Sequence, residues 1–181
     1  MGQVHETFKG ELLEWIRKQT VFFVATAPLA ESGHINCSPK GGDAFRVVDE
    51  TTVAYQDYTG SGAETIAHIR ENGRLVIMFC AFDGPPRIVR LYGQAEVILP
   101  AHPQYGMLAV LFPRNPGTRA IIRLHVTRVA ESCGMSVPLL DFKSPRHDLD
   151  DWAEEKGNER LRDYRLRKNQ RSIDGLPALD P

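Results

Sequence analysis

A chain of 181 residues is long enough to bury a real core within one domain. Its 22 basic and 23 acidic residues leave a formal net charge of −1, which gives nucleic acid or an anionic membrane no footing as an obligate partner. No apolar run approaches a membrane span, and MGQVHETFKGEL does not read as a signal peptide; three widely spaced cysteines, Cys37, Cys80 and Cys133, argue for reduced thiols in a cytoplasm.

In chain order, Phe8, Leu12, Trp15 and Ile16 share one face of a helix expected over His5 to Gln19. Val21 to Ala27 reads as a strand, Ala30 to Gly33 as a turn, and His34 to Lys40 as a second strand ended by Pro39 and Gly41-Gly42. Phe45 to Val48 and Thr52 to Gln56 flank Asp49-Glu50 as a hairpin. Arg74 to Phe82 and Arg87 to Leu99 are joined by Asp83-Gly84-Pro85-Pro86, a turn suited to antiparallel neighbours. A short helix over Pro103 to Leu111 precedes the last long strand, Thr118 to Ala130. The count defines an α+β fold, an antiparallel six- to seven-stranded barrel with flanking helices.

From Asp148 the chain becomes charged and helical, acidic early and basic late, in the order a helix dipole favours. A solvated face explains its arginines better than nucleic acid does, because only Tyr164 offers a stacking ring among them. Ser172 to Pro181 follows as a tail that hangs free or docks. Residues 1–145 are read as the barrel and 146–181 as a helical extension and tail packing on it.

The stretch from Val53 to Asn72 organises the rest. A β-branched and aromatic strand runs into Thr59-Gly60-Ser61-Gly62, and Ile66 and Ile69 then recur at helical spacing, with His68 and Glu71 on the other side. Ser61 and Glu64, three residues apart, match a capping box. Strand, Gly/Ser loop and helix start together offer backbone N–H groups and a positive dipole end to an anion such as phosphate. By itself the loop reads better as a plain capped strand-to-helix turn, because such turns are common and Gly-x-Gly is a weak signal. It lacks the Gly-Lys-Ser/Thr of a Walker loop, and Thr65 stands where a dinucleotide fingerprint wants its third glycine.

The order FFVATA, HINCSPKGGD, DYTGSGAETIAHI and RIVRLYGQAEV resembles the pyridoxamine 5'-phosphate oxidase-like superfamily over roughly Val21 to Ala130. That resemblance implies a split barrel that binds flavin mononucleotide (FMN), and a homodimer with flavin sites at its interface. It places Asn36, Ser38 and Lys40 of the first site strand along the ring. Tyr58, Thr59, Gly60, Ser61, Gly62 and Thr65 form the phosphate loop, and Arg87 opens the later arginine-containing strand that ends in Gly93. Where the vitamin B6 oxidases carry Ser-Arg-Lys, this chain has Ala63, Glu64 and Thr65, so a cation must come from elsewhere. Lys168 or Arg171, delivered from a partner subunit, is the expected source. The oxidases' C-terminal Trp and Arg-rich strand are also missing, so a vitamin B6 oxidase is not expected.

Cys133 reads as an inert, partly buried thiol, and His34, His68 and His125 lack metal-ligand spacing. No acid–base pair is evident. The expected function is therefore FMN binding with flavin-dependent oxidoreduction of a small molecule. Two alternatives stay open, a flavin-binding carrier or sensor without turnover, and use of a deazaflavin or haem in the same fold.

Overall fold

The computed structural model describes residues 3–5 and 7–179. Strand β1 (Gln3–His5) precedes helix α1 (Glu11–Arg17), which starts later than its apolar spacing suggests. Gly10 has φ 59°, outside the right-handed region, so the helix cannot extend back through it. Glu6, inside the expected helix, lies outside the described residues. Next come β2 (Val21–Thr26), β3 (Asn36–Gly41), β4 (Phe45–Val47) and β5 (Thr52–Tyr58). Helix α2 (Glu64–Asn72) leads to β6 (Arg74–Cys80) and β7 (Ile88–Ile98). Helix α3 (Tyr105–Ala109), β8 (Thr118–Ser132) and α4 (Asp148–Lys168, kinked at Gly157) complete the order.

The strands form one antiparallel sheet in the order β3-β2-β6-β7-β8-β5-β4, with β1 on β8. This is the expected α+β split barrel, with β1 and the carboxyl end of β8 added. Strand β3 runs through Pro39 instead of ending there, because it is an edge strand paired only with β2. At the β7 bulge a Cβ on Gly93 would meet the His125 carbonyl oxygen at 1.9 Å, so only glycine lets β7 approach β8 there.

Inside the curl, Phe22, Phe45, Tyr55 and Phe79 interlock with ring centroids 5.2–6.0 Å apart. They tie β2, β4, β5 and β6 together beneath the split. On the outer face, Leu108 of α3 and Phe112 just after it cover Ala54, Ile98 and Ile121. No described helix is long and apolar enough to cross a membrane.

Helix α4 is not the wholly solvated face its charge suggests. Ala153 and Leu161 are buried on it, and Leu161, Arg165 and Asn169, four residues apart, share the face turned to the barrel. The tail docks as far as it is described: Ala178 is fully buried, and Leu176 and Leu179 pack against the core; residues 180 and 181 lie outside the described set.

Candidate functional site

Along β3 every second side chain turns toward the split, as strand alternation requires. Those side chains are Asn36, Ser38 and Lys40. The Asn36 amide donates to Thr65 Oγ1 at 3.0 Å and to Thr26 Oγ1 at 3.3 Å, while Ser38 donates to Asn36 Oδ1 at 3.2 Å. Lys40 Nζ reaches Asp57 Oδ1 at 3.3 Å. Four of the expected site residues, Asn36, Ser38, Lys40 and Thr65, thus meet where β3 faces β5 and the start of α2.

The loop between β5 and α2 is held by its oxygen atoms. Asn169 donates to the Gly60 carbonyl at 2.9 Å, and Arg119 Nη1 to the Gly62 carbonyl at 2.8 Å. Among the described residues no acceptor meets the N–H groups of Gly60, Ser61, Gly62 or Ala63. They stand beside the first N–H groups of α2, which have no intrahelical partner either.

The expected capping box does not form. Helix α2 begins at Glu64 with Ala63 as its N-cap and no side-chain cap, and Ser61 is exposed. Glu64 Oε2 instead accepts the Ile173 N–H of the tail at 2.9 Å. Ser61 and Glu64 have the right spacing, but the reciprocal pair needs the serine at the N-cap and the carboxylate at the third helical position, and here Ser61 lies two residues before the N-cap and Glu64 is the first helical residue. Thr59 is fully buried; its hydroxyl donates to the Gly117 carbonyl at 2.9 Å and accepts from Arg165 Nε at 2.7 Å, so it has no free proton for a ligand. Tyr58 turns to Gln56 Oε1 at 3.0 Å, and burial, with Asp150 and Asp43 nearby, pushes its pKa up to about 12.

Beneath the loop lies a charge cluster that sequence reasoning missed. Asp57 is fully buried, with Oδ2 accepting from Arg119 Nε at 2.7 Å. Burial alone would raise its pKa, but the Arg119 and Lys40 cations outweigh burial and hold the carboxyl below its ordinary value. Arg165, half-buried on α4, bonds only neutral oxygens: Thr59 Oγ1, the Gly117 carbonyl at 3.4 Å and the Thr118 carbonyl at 3.2 Å. Burial, and then the Arg119 cation, lower its pKa from the ordinary value. Two cations, Lys40 and Arg119, share the buried carboxylate, and Arg165 lies close enough to Arg119 to feel its charge. The missed signals were an Asp and an Arg at inward positions of β5 and β8, and an Arg four residues from Leu161.

Two expected residues are not brought to this place within one chain. Arg87 sits at the far end of β7, paired with Glu11 and Glu131 and 5.6 Å over the Trp15 ring. Lys168 is exposed beside the buried Asn169. The tail turn clips Asp174 to His34, whose main-chain N–H donates at 2.8 Å and whose Nδ1 lies 2.6 Å away. That hydrogen bond, with the Asp174 charge, raises the His34 pKa.

His68, expected on the polar side of α2, is fully buried; its Nδ1 meets Thr26 Oγ1 at 2.9 Å, and among the described residues its Nε2 has no partner. Cys133 is exposed, not partly buried. Among the described residues no group of three or more His, Cys, Asp or Glu side chains could hold a metal ion. A groove of about 460 Å³ lies on the opposite face of the sheet, lined by Ala25, Ile35, Val76, Tyr92 and their neighbours.

The fold and this polar split define a curled antiparallel barrel with an anion-friendly loop at the start of a helix. The family profile for pyridoxamine 5'-phosphate oxidase matches residues 8–133. A pyridoxamine 5'-phosphate oxidase family protein of Aspergillus flavus, ustO, is 41% identical over 192 residues, covering 97% of this chain and 77% of that protein. The chain belongs to the pyridoxamine 5'-phosphate oxidase family. Among solved structures, HupZ of Group A Streptococcus superposes with a TM-score of 0.54 at 25% identity, over 67% of this chain and 91% of that one. A Lactobacillus delbrueckii protein, 17% identical, shares the fold with a TM-score of 0.52 over 69% of this chain and 94% of its own.

Proposed function

We propose that this protein binds a flavin, FMN, at the split between β3 and the loop leading into α2. The carrying observation is the row of N–H groups from Gly60 to Ala63 without acceptors among the described residues, leading into a helix start that Asn36 of the polar-lined β3 reaches through Thr65. Orphan N–H groups at a helix start fit a phosphate, because each is a fixed donor that gives up little freedom on binding. Asn36, Ser38, Lys40 and Thr65 would hold the ring's polar edge; Ser61 and the N–H groups around it would hold the phosphate. A bound flavin supplies the electron chemistry, and the protein binds, orients and tunes it. Lys40, kept in place by Asp57, keeps a positive charge at that strand.

The catalytic reading is flavin-dependent oxidoreduction of a small molecule in the cytoplasm. A carrier or sensor role is the second reading. It is favoured by the pairing within the split, where Lys40 is tied to Asp57 and Asp57 to Arg119. A homodimer belongs to the same proposal. Strand β6 is apolar on both faces, with Leu75, Ile77 and Phe79 inward and Val76 and Met78 outward, and the outer groove beside it carries the exposed Ile35.

Titration of the purified protein with FMN, followed by its visible spectrum, tests the binding. Saturation at micromolar FMN is expected, and its absence would end this reading. Reduction of the bound flavin by candidate substrates separates enzyme from carrier, and light scattering at micromolar concentration tests the dimer.

A further inference from the structure

We propose that Arg165, on the C-terminal helix of the same chain and backed by Arg119, is the cation that holds a phosphate group at this loop. The inference rests on the flavin reading and deepens it. The loop's own sequence offers no cation, since Ala63, Glu64 and Thr65 stand at its end. The helix packs one in from the other side.

A guanidinium withdrawn from water is normally paired with a carboxylate or a ligand, because an uncompensated buried charge is costly. Arg119 follows that rule, with Asp57 at 2.7 Å. Arg165 does not. It is half-buried, and among the described residues its partners are one hydroxyl and two carbonyls, with no hydrogen bond from its Nη1 to any of them. Lys40, Arg119 and Arg165 against Asp57 and the nearby Glu64 leave this place one positive charge in excess. A phosphate monoester carries close to two negative charges at neutral pH.

Arg165 is also held rigidly. Leu161 is buried one turn before it, and Asn169, buried one turn after it, is bonded to Gly60. Thr59 Oγ1 fixes its Nε. Such a fork loses little freedom when an oxyanion binds, and it grips two oxygens at once where a lysine grips one. Glu64, the nearby carboxylate that would oppose an anion, is committed to the tail N–H of Ile173.

The test compares FMN, riboflavin (the same ring without phosphate) and inorganic phosphate on the full chain, as wild type, Arg165→Gln, Arg165→Lys and the exposed control Arg162→Gln. FMN affinity should fall roughly tenfold or more in Arg165→Gln, the worth of a lost charge-assisted hydrogen bond, while riboflavin affinity stays unchanged. Inorganic phosphate should raise the melting temperature of wild type and Arg162→Gln but not of Arg165→Gln. A folded Arg165→Gln that keeps the wild-type ratio of FMN to riboflavin affinity overturns the proposal. Should that variant not fold, Arg165→Lys decides: weaker FMN with unchanged riboflavin supports it, and unchanged FMN overturns it. If wild type binds neither flavin, the flavin reading fails alone and the phosphate arm decides. Stabilisation lost with Arg165 sustains the cation site, whereas equal or absent stabilisation sinks it.

Discussion

The two ends of β8 carry similar chemistry under opposite conditions. At its amino end Arg119 meets Asp57 out of water, and both ends of that pair reach further, to the Gly62 carbonyl and to Lys40. At its carboxyl end Glu131 meets Arg87 at 3.4 Å and His5 at 3.1 Å, within reach of solvent. The first end binds β3, β5, β8 and the loop into one arrangement. The second decorates a rim. An ion pair's meaning is set less by its partners than by the water around it.

The sharpest way to break the contrast is Asp57→Ala, which leaves Arg119 buried without its counter-ion. Urea unfolding should show a loss of about 3–5 kcal/mol. The loss should also depend on pH. The folded Asp57 pKa lies below the ordinary value of about 3.9, so its contribution is complete above that value and disappears as pH falls through the lower folded one. The gap between wild type and variant should therefore begin to narrow only as pH falls below about 4, and keep narrowing until the lower folded value is passed.

Next in size is Asn169→Ala, which removes the donor to the Gly60 carbonyl and should cost about 1–3 kcal/mol in the same assay. Glu64→Gln concerns affinity more than stability. Removing a negative charge beside the loop should tighten FMN by on the order of 1 kcal/mol, roughly fivefold, by calorimetric titration. Arg87→Ala, at the exposed end, should cost about 1 kcal/mol or less and shrink further in high salt.

The smallest effect belongs to the clip between His34 and Asp174. Because the folded His34 pKa is raised, the charged pair contributes fully below the unfolded histidine value of about 6.5 and fades as pH rises through the higher folded value. Amide exchange in the tail turn should quicken across that window beyond the intrinsic base-catalysed rise. A tail that exchanges alike in wild type and His34→Ala would show the clip to be idle.

The barrel was legible because its strands obey simple periods: Val21 to Thr26 alternates inward and outward, and Thr118 to Ala130 reads as one strand without interruption. Asn36, Ser38 and Lys40 were legible for the same reason, since a strand that alternates Ile35 and Cys37 with polar side chains must turn one set inward. Other parts could not be read locally. Ser61 and Glu64 have the spacing of a capping box, but the helix starts later than that motif requires, and a tail residue more than a hundred positions away supplies the competing donor. Arg165 looked like one cation among several on a charged helix. Its burial depends on how that helix lies across the loop, which no periodicity within the helix reports. Arg87 matched a family pattern along the sequence, yet α1 and β8 claim it at the opposite end of the barrel.

Pro39 has a consequence beyond the split. Strand β3 is the open border of the sheet, where unpaired main-chain groups invite another chain to add a strand and start an aggregate. A proline tolerated within such a ladder has its missing donor on the open side, so the border lacks one rung. Lys40, next along and turned inward with its charge, makes a slipped register still less favourable. The strand that turns its polar side chains to the split is thereby a poor template, along its free border, for adding a further strand.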